Sequence, residues 1–460
     1  MDSYDIAVIG GGPAGYVAAI KGAQLGGRIV LFEKDTVGGT CLNRGCIPTK
    51  TFLKGAEIIH TIQMAGKYGI KNDSSFSVDM AKAVENKNQV VKQLTSGVAG
   101  LLKSNAVDVV YGEAELVDEH TIECQNKLYK AENIILCGGS KTSKIPIPGI
   151  ESADVLTSDD ILDMKELPEK LAIIGGGVIG CEIGAALAYY GSKVTIIEAE
   201  NRILPFMDRE LSAALEETFK KLGIQMYTST KVEAIQSEKG CRVMCSGGKT
   251  VEADKVLISI GRTSDLQCLG ALRKKLQQER NFVIADEYMR TNIPNIYAAG
   301  DITGKSMLAH SAFKMGEAAA KNAMGGSEKC LLKTVPSCVY TLPECASVGL
   351  SEEKAEEIYG KSEITVGRFP FRANGRSLAS GTTEGFVKVI VQKTYNEILG
   401  IHIFGANAAE MISEATNLIC TEIPADEAAE IVHAHPTFSE ALMEACADAL
   451  NMSIHLPKKK

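Results

Sequence analysis

An internal repeat is the feature of this 460-residue sequence that most restricts how it can fold. The segment Asp5–Asp35 aligns without gaps onto Lys170–Glu200. Each copy contains an apolar strand, the motif G-G-G-x-x-G, a helical stretch, a glycine, a second strand and a glutamate. This order is typical of the strand–helix–strand unit that binds a dinucleotide. A single glycine motif is often only a tight turn, but the repetition of strand, spacing and acid predicts two nucleotide-binding units.

The three glycines of each motif have separate roles. The first makes the tight turn, the second lets a pyrophosphate approach the backbone at a helix N-terminus, and the third allows close packing of helix on strand. In this order they are Gly10, Gly12 and Gly15 in the first copy, and Gly175, Gly177 and Gly180 in the second.

The acid that ends each copy predicts which nucleotide binds. Glu33 and Glu198 each end the second strand, where a carboxylate accepts hydrogen bonds from ribose hydroxyls. Such a carboxylate repels a 2′-phosphate, so the nicotinamide site is expected to prefer NAD over NADP. Arg202 leaves the alternative open, because an arginine near this position can accommodate the extra phosphate.

The segment from Gly38 to Lys50 carries two cysteines five positions apart, Cys41 and Cys46. In a regular helix their Cα atoms would lie roughly 8–9 Å apart, whereas a disulfide needs less than about 7 Å. A bridge therefore requires a distorted turn, which Gly45 permits. Such a disulfide would be open to exchange, as a redox catalyst requires. The alternatives are two unrelated buried cysteines or half of a metal site, although no His/Cys cluster lies nearby to complete one.

Two further acids follow patterns with more than one interpretation. In Ala434–Glu440, Pro436 removes His435 from the helical region, and Glu440 could orient the imidazole as an acid/base. The same spacing is also a capping box, so Glu440 could serve only the helix. Asp301 follows a short strand and could bind a cofactor polyol, or it could be an ordinary turn aspartate.

The architecture follows from the pattern of elements. Short β-branched runs alternate with helical stretches, which predicts an α/β protein with parallel sheets. The last third differs, because Phe386–Val391 and Ile398–Phe404 resemble an antiparallel pair joined near Tyr395. Helical stretches at Ala408–Glu422 and Ala425–Val432, and a third after His435-Pro436, predict a separate α+β domain.

Composition excludes several classes of protein. The formal net charge of −8 argues against a nucleic-acid binder that relies on positive charge. No apolar stretch reaches the ~18 residues of a membrane helix, and no signal peptide is recognised at the N-terminus. Thirteen cysteines, mostly isolated in apolar surroundings, favour a reducing compartment and predict a cytoplasmic protein.

Together these segments resemble the flavoprotein disulfide reductases along essentially the whole chain. The matching stretches are residues 38–50, 171–184, 258–262, 296–301, 307–310, 383–388 and 435–445. The resemblance implies FAD on the first repeat, NAD on the second, and a homodimer formed by the last domain. The expected domains are an FAD-binding domain of residues 1–144 and 267–334, an NAD-binding domain of residues 145–266, and a dimerisation domain of residues 335–460.

The resemblance also implies roles for individual residues. Cys41 is the thiol that exchanges with substrate, and Cys46 faces the flavin. Lys50 lies near the flavin and pairs with Glu182. His435, held by Glu440, serves the active site of the partner subunit. Further cofactor contacts are expected from Gly112, Gly261, Asp301, Leu308, Ala309 and His310.

Within the family, the resemblance is to members that oxidise protein-bound dihydrolipoamide. The expected partner is a lipoyl domain of an acyltransferase or a lipoyl carrier protein, in a 2-oxo-acid dehydrogenase or glycine-cleavage system. The alternatives are a glutathione-type, NADPH-dependent reductase and a nucleotide-binding sensor that lost turnover. One departure from the usual family sequence is Arg44, which replaces a small apolar residue between the cysteines and could tune their thiolate character.

Overall fold

The computed structural model describes residues 3–71, 76–237 and 240–458. Its helices, in chain order, are α1 (Pro13–Gln24), α2 (Gly39–Arg44), α3 (Cys46–Met64), α4 (Met80–Ser104), α5 (Ser158–Ile161), α6 (Val178–Tyr190), α7 (Arg209–Lys221), α8 (Ala309–Ala323), α9 (Glu352–Tyr359), α10 (Gly375–Ser380), α11 (Ala408–Cys420), α12 (Ala425–Glu430) and α13 (Glu440–Ala449).

The strands of the same residues form several separate sheets. In chain order they are β1 (Ser3–Ile9), β2 (Ile29–Glu33), β3 (Asp108–Tyr111), β4 (Ala114–Leu116), β5 (Thr121–Cys124), β6 (Lys127–Leu136), β7 (Ser140–Thr142), β8 (Val155–Leu156), β9 (Lys170–Ile174), β10 (Lys193–Ile197), β11 (Gln225–Tyr227), β12 (Val232–Ser237), β13 (Cys241–Cys245), β14 (Thr250–Ala253), β15 (Lys255–Ile258), β16 (Arg262–Ser264), β17 (Gln278–Glu279), β18 (Phe282–Val283), β19 (Ile296–Ala298), β20 (Ser337–Val339), β21 (Glu344–Gly349), β22 (Ile364–Pro370), β23 (Phe386–Gln392) and β24 (Glu397–Gly405).

The first large sheet has the order β3-β2-β1-β6-β5-β4, and β19 also pairs with β6. Strands β1, β2, β3, β6 and β19 pair parallel with one another, as the sequence predicts. One edge departs from the parallel pairing expected from the sequence, because β4, β5 and β6 form an antiparallel meander. Short connections between these three strands permit that arrangement, since an antiparallel pair needs no crossover helix.

The second large sheet has the order β11-β10-β9-β15-β8, with parallel pairing throughout. It lies in the chain between β6 and β19 of the first sheet, so the first unit is built from two separate stretches. Strands β7 and β16 pair antiparallel and return the chain to the first unit. We refer to the β1–α1–β2 copy and its sheet as the first unit, and to the β9–α6–β10 copy and its sheet as the second unit.

Both copies of the repeat fold as predicted. Gly10 has φ +105° and Gly175 has φ +107°, a backbone conformation that favours glycine. A Cβ atom on Gly10 would lie 2.1 Å from the Cys137 carbonyl oxygen, and one on Gly175 would lie 2.4 Å from that of Ser259. Helices α1 and α6 begin directly after Gly12 and Gly177. Each turn is therefore available only to glycine, and it places a helix N-terminus where the dinucleotide is expected to bind.

The C-terminal region is the predicted α+β assembly, with the sheet order β20-β21-β24-β23-β22 and helices α11 to α13 packed on it. The antiparallel pairing of β23 with β24 is confirmed. Helices α11 and α12 end two residues earlier than the sequence suggests, at Cys420 and Glu430. The domain boundaries expected from the sequence stay a prediction. Within the described ranges, no helix is both long enough and apolar enough to cross a membrane.

Helix α3 joins the first unit to the second through a shared hydrophobic core. Phe52 and Tyr190 of α6 pack in one buried cluster, and the Tyr190 hydroxyl donates to the Phe52 carbonyl oxygen at 3.1 Å. A Cβ on Gly55 would lie 2.1 Å from the Tyr190 hydroxyl oxygen, so the two helices approach closely there. The cysteine segment at the start of α3 is consequently fixed by both units.

Candidate active site

The two cysteines lie on either side of a helix break. Cys41 belongs to α2, Cys46 begins α3, and Gly45 separates the helices with φ −132° and ψ −109°. This non-helical residue gives the distorted turn that the sequence requires for the two sulfurs to meet. Both residues are thiols in this structure, and the Cys41 thiol hydrogen bonds with the Cys46 sulfur. The predicted close approach of the two side chains is therefore present.

The two thiols differ in acidity. The hydrogen bond from Cys41, together with the charge of Lys50, lowers the pKa of Cys46 to about 7. The same hydrogen bond, reinforced by burial, raises the pKa of Cys41. When the pair is reduced, the negative charge therefore resides on Cys46, and Cys41 keeps its proton.

Lys50 and Glu182, predicted as a pair, are brought together. The Lys50 Nζ lies 2.9 and 2.7 Å from the two Glu182 carboxylate oxygens, and Glu182 is only 3% exposed. Lys50 follows Cys46 by four residues, so both side chains lie on one face of α3. Tyr340, which the sequence did not single out, completes the arrangement. Its backbone N–H donates to Glu182 at 2.9 Å, and its ring lies 4.4 Å from the Lys50 ammonium.

Arg44 is directed to a different set of partners. Its guanidinium pairs with Asp35 after β2 and lies 3.9 Å from Asp159 of α5. Lys50, by contrast, is the cation whose charge acts on both thiols. The residue that departs from the family pattern thus links the first unit to α5, and Lys50 is the residue that favours the thiolate.

Each predicted ribose acid is fixed by two backbone N–H groups. Glu33 accepts from Gly11 and from Asp35, both at 2.8 Å. Glu198 accepts from Gly176 at 2.6 Å and from Glu200 at 2.8 Å. The same contacts recur because both copies have the same loop. Each carboxylate retains lone pairs for ribose hydroxyls, so both sites fit a dinucleotide.

The first glycine loop is covered by the start of the cysteine segment. The Gly38 N–H donates to the Gly11 carbonyl oxygen at 2.8 Å. A Cβ on Gly39 would lie 2.6 Å from the Gly12 Cα, so the two backbones nearly touch. A pyrophosphate bound at Gly12 would therefore lie beside the N-terminus of α2. These bare backbone surfaces, with the Glu33 carboxylate, fit the FAD expected here.

Asp301 lies after β19, close to the cysteine pair. It accepts a hydrogen bond from the Ser140 hydroxyl at 2.5 Å, and the Arg262 Nε donates to the same hydroxyl at 2.7 Å. The Asp301 charge contributes to the raised pKa of Cys41. The carboxylate is therefore near the thiols and the strand end, as a polyol ligand requires, while its role stays a prediction.

The other predicted cofactor residues occupy loop and helix ends. Leu308 precedes α8, Ala309 begins it, and the His310 imidazole lies 2.9 Å from the Pro336 carbonyl oxygen. Gly112 donates its N–H to the Glu33 carbonyl oxygen at 2.8 Å. Gly261 has φ +104° with no neighbouring atom where a Cβ would lie.

His435 and Glu440 are hydrogen-bonded to each other in the C-terminal domain, whereas the cysteine pair lies in the first unit. The His435 Nδ1 lies 2.7 Å from one Glu440 oxygen, and the Thr437 N–H donates to the other at 2.7 Å. The expected capping box is only half formed, because the Thr437 hydroxyl donates to the Ala434 carbonyl oxygen and α13 begins at Glu440 itself. The acid/base interpretation has the required His435 contact, and the role stays a prediction. The pKa of Glu440 is lowered, because these contacts outweigh the effect of burial. The His435 side chain is 76% exposed, which leaves Nε2 available to a second chain.

Arg202, the arginine that could have accommodated the 2′-phosphate of NADP, forms hydrogen bonds with other groups. Arg202 donates to both oxygens of Glu353, at 3.1 and 3.0 Å, and to the carbonyl oxygens of Pro205 and Met207. A guanidinium held by these partners is not directed at the Glu198 carboxylate. This geometry favours NAD over NADP at the second unit.

The arrangement of two nucleotide loops, a vicinal thiol pair and a separate C-terminal sheet defines a class of redox enzyme. Residues 4–316 match the family described as pyridine nucleotide-disulphide oxidoreductase, and residues 335–446 match its dimerisation domain. The chain belongs to this family. It is an oxidoreductase that uses FAD and NAD, and its dimerisation domain forms a homodimer.

Individual relatives narrow the comparison. The chain is 40% identical to dihydrolipoyl dehydrogenase of Chlamydia trachomatis, covering 100% of this chain and 99% of that protein. It is 37% identical to dihydrolipoyl dehydrogenase of Bacillus subtilis, covering 98% and 99%. Among solved structures, it is similar to LpdA of Mycobacterium tuberculosis, with TM-score 0.89, 26% identity and coverage of 97% and 99%. It is also similar to the HOCl-induced flavoprotein disulfide reductase RclA of Escherichia coli, with TM-score 0.87, 29% identity and coverage of 96% and 99%.

Proposed function

We propose that this enzyme oxidises protein-bound dihydrolipoamide to lipoamide and passes the electrons to NAD, the dihydrolipoyl dehydrogenase reaction. The observation that carries the proposal is the contact of Cys41 with Cys46 across the break at Gly45, directly beside the glycine loop of the first unit. When bound, FAD accepts the electron pair of the dithiol and delivers it to NAD. The residues expected to hold it are Gly12, Glu33 and Asp301.

The thiol chemistry proceeds by two exchanges from the oxidised state. A dihydrolipoyl thiolate attacks the Cys41 sulfur, the Cys41–Cys46 bond breaks, and Cys46 leaves as a thiolate. The second lipoyl thiol then attacks the mixed disulfide, which closes the lipoyl ring and releases Cys41. His435, oriented by Glu440, accepts the proton of the first attacking thiol and returns it to Cys41 as that sulfur is released, so that it can then accept the proton of the second thiol.

The electrostatics of the cysteine segment support this division of roles. A thiol of low pKa is the better leaving group, and the pKa of Cys46 is about 7. Lys50 stabilises the departing thiolate, and the buried carboxylate of Glu182 fixes the Lys50 ammonium. Cys41 keeps its proton in the reduced pair, as expected for the sulfur that bonds to substrate.

The substrate class and cellular setting follow from the same proposal. The dihydrolipoyl group arrives on a lipoyl domain of an acyltransferase or on a lipoyl carrier protein, within a 2-oxo-acid dehydrogenase or glycine-cleavage system. We assign residues 1–144 and 267–334 to FAD, residues 145–266 to NAD and residues 335–460 to the dimer contact. The eleven cysteines outside the Cys41–Cys46 pair form no disulfide, which is consistent with a reducing cytoplasm.

A rapid-mixing experiment tests the reaction. Dihydrolipoamide and NAD are mixed with the holoenzyme, and NADH formation is followed at its near-ultraviolet absorbance. The proposal requires fast, dihydrolipoamide-dependent NADH formation and little response when NADP replaces NAD. Fast reduction of oxidised glutathione by NADPH, with no lipoamide turnover, would instead support the glutathione-type alternative.

A subunit-mixing experiment tests whether His435 acts across the dimer. Two inactive variants, Cys46→Ser and His435→Ala, are co-refolded so that subunits mix. In the heterodimer one site has both lesions and the other has neither, so about a quarter of wild-type activity returns in a random mixture. If heterodimers form and activity does not return, His435 serves its own chain.

A further inference from the structure

A second histidine of the C-terminal domain makes contacts that determine its charge. The His433 Nδ1 lies 2.8 Å from the Ile431 carbonyl oxygen, and its Nε2 lies 2.6 Å from a Glu414 carboxylate oxygen on α11. The His433 side chain is 8% exposed, so water does not replace either partner. Both ring nitrogens therefore have protein oxygens as their partners.

The proton count at His433 follows from what these oxygens can do. A carbonyl oxygen and a carboxylate oxygen only accept hydrogen bonds, and a neutral imidazole has a single N–H to donate. An imidazolium donates from both nitrogens and satisfies both contacts. In agreement, the Glu414 hydrogen bond raises the pKa of His433, although burial opposes the shift. The two contacts therefore favour the charged form of His433, paired with Glu414.

The position of this cation gives it a role towards its neighbours. His433 is two residues before His435, and its charge acts on Glu440 of α13. The charged groups that face His433 are Glu414 from α11 and Glu440 from α13, and the Ile431 carbonyl faces it from its own segment. His433 thus contacts Glu414 directly and acts by its charge on Glu440, which in turn contacts His435.

We propose that His433, neutralised by Glu414, is a positioning residue that sets the pH at which the His435–Glu440 pair exchanges a proton with substrate. The proposal rests on the proposed function, because it assumes that His435 is the acid/base. His433 anchors the segment that carries His435 and balances the charge of Glu414 beside Glu440. It does not itself contact the reacting sulfur atoms.

Variants of the two partners give opposite expectations. His433→Gln leaves the Glu414 charge uncompensated, so His435 holds its proton more tightly. The acidic limb of the pH–rate profile then moves up by about 0.5 pH unit. Glu414→Gln leaves any charge on His433 uncompensated, so the same limb stays or moves down. The double variant removes both charges and brings the profile back towards that of the wild type.

A matched control is available in the same domain. The His455 Nδ1 lies 2.6 Å from a Glu444 oxygen, so this pair has the same separation as His433 and Glu414. His455→Gln removes a histidine–carboxylate pair without changing the groups that face Glu440. We expect this variant to leave the pH profile in place. Thermal unfolding of all four variants monitors any general loss of structure.

Two measurements test the role of His433 independently of the proposed dihydrolipoamide reaction. The first is the pH profile of dihydrolipoamide-dependent NAD reduction by the holoenzyme. The second is an NMR titration of His435 in histidine-labelled protein, where seven histidines make assignment by substitution practical. If the wild type shows no lipoamide turnover, the proposed function fails, and the titration still decides the effect of His433.

The outcomes are distinct. The proposal is supported if the two single variants move the acidic limb of the pH–rate profile in opposite directions or by unequal amounts, and if the double variant restores the wild-type position. Such a result shows that the charge of His433 acts on His435. Equal displacement by both, or an unchanged His435 titration in His433→Gln, would overturn it and leave only a packing role. If His433→Gln does not fold, His433→Asn replaces it in the same comparison: a higher midpoint of the His435 titration supports the charge role, and an unchanged midpoint overturns it.

Discussion

The two nucleotide-binding units share one loop design and differ in the segment that the loop anchors. In the first unit, the Gly38 N–H donates to the Gly11 carbonyl oxygen at 2.8 Å; in the second, the Leu204 N–H donates to the Gly176 carbonyl oxygen at 2.9 Å. The chain after Gly38 becomes the helix that carries Cys41. The chain after Leu204 leads to Asp208 at the start of α7. The same anchoring contact therefore supports redox chemistry in one unit and a structural connection in the other.

The two loops also differ in how much space they leave. At the middle glycine of the motif, a Cβ on Gly12 would lie 3.8 Å from the Gly39 Cα in the first unit, whereas a Cβ on Gly177 has no atom within 4 Å in the second. At this position the first loop is covered by the cysteine segment, and the second is open. A closed loop suits a cofactor that stays bound, and an open loop suits a coenzyme that binds and leaves in each turnover.

The largest expected effect is confined to the first unit. Cys41→Ser and Cys46→Ser should each reduce lipoamide turnover by on the order of 10⁴-fold, because each removes one sulfur of the exchanging pair. Oxidation of NADH by a one-electron dye should persist, since it depends on the second unit and bound FAD. Substantial lipoamide activity in either variant would contradict the dithiol assignment.

Cys41→Ala also tests the acidity of the pair. Because the largest cause of the lowered Cys46 pKa is the hydrogen bond from Cys41, its loss should raise the pKa from about 7. The stabilising charge of Lys50 remains. Alkylation rates of the reduced enzyme, measured against pH, should therefore have a higher midpoint in the variant. An unchanged midpoint would show that Lys50 alone favours the thiolate.

The second unit is expected to depend on a buried ion cluster. Lys388 of β23 lies 2.9 Å from both Asp208 oxygens, 2.8 Å from Glu210 and 2.7 Å from Glu352. Lys388 and Asp208 are each 1% exposed. Lys388→Met leaves the buried Asp208 carboxylate without its cation, whereas Arg368 still pairs with Glu210 and Glu352. The uncompensated buried charge costs about 3–5 kcal/mol of stability. Thermal unfolding should occur at a clearly lower temperature.

A partly exposed ion pair of the same unit is the control for this cluster. Lys255 lies 2.6 Å from Asp154, and both side chains are 34% exposed. Lys255→Met should cost less than about 1 kcal/mol, because solvent reaches both groups and screens the pair. If Lys388→Met and Lys255→Met lower the unfolding temperature equally, the buried cluster contributes no more stability than the Lys255–Asp154 pair, and this prediction is wrong.

The cluster also predicts an acid limit. Burial raises the pKa of Asp208, but His402 and Lys388 outweigh it and hold that pKa below the usual range. A lowered pKa in the folded state contributes stability above the unfolded value of about 3.9. That stability is lost as the pH falls through the folded value. Acid unfolding of Lys388→Met should consequently begin at higher pH than in the wild type.

Two glycine substitutions compare the loops directly. Gly39→Ala places a methyl group against the Gly12 backbone at a residue with φ +56°, so the purified protein should contain less flavin. Gly177→Ala should fold normally and retain flavin. It should bind NAD more weakly by about 1–3 kcal/mol, because the methyl fills space needed by the pyrophosphate. Normal NAD affinity in Gly177→Ala would contradict the placement of NAD at that loop.

The smallest expected effect concerns the choice of coenzyme. Glu198→Gln combined with Ala199→Arg should change the ratio of NAD to NADP efficiency by about 10- to 100-fold in favour of NADP. The equivalent change in the first unit, Glu33→Gln, should weaken FAD binding without altering this ratio. A wild-type enzyme that already prefers NADPH would refute the assignment of Glu198.

The sequence alone predicts the features that arise from short-range patterns. The two loops, the β23–β24 pair and the His435–Glu440 contact each involve residues close in the chain. The Lys50–Glu182 pair was expected only through the resemblance to the family. The cluster around Lys388 was not predicted, because its partner Asp208 is far along the chain and no periodicity connects them.

Some missed features had a weak local signal. His433 is two residues before His435, and the repeated histidine could have drawn attention to it. Its partner Glu414 lies on a separate helix, so the charge of His433 follows only from the tertiary contacts. The antiparallel edge formed by β4 and β5 was missed because strands of three and four residues carry little periodicity.

The split construction of the first unit has a consequence for the order of events during synthesis. The second sheet is complete once β15 has emerged at Ile258, but the first sheet awaits β19 at Ile296–Ala298. Helix α8 must also arrive, because it packs on α1 so closely that a Cβ on Gly316 would lie 2.2 Å from the Ala14 carbonyl oxygen. On the ribosome, where domains fold as they emerge, the inserted unit can therefore close first. Once the second unit has folded, the β7–β16 pair brings the chain back to the first unit. Strand β19 can then pair with β6 and complete the first sheet.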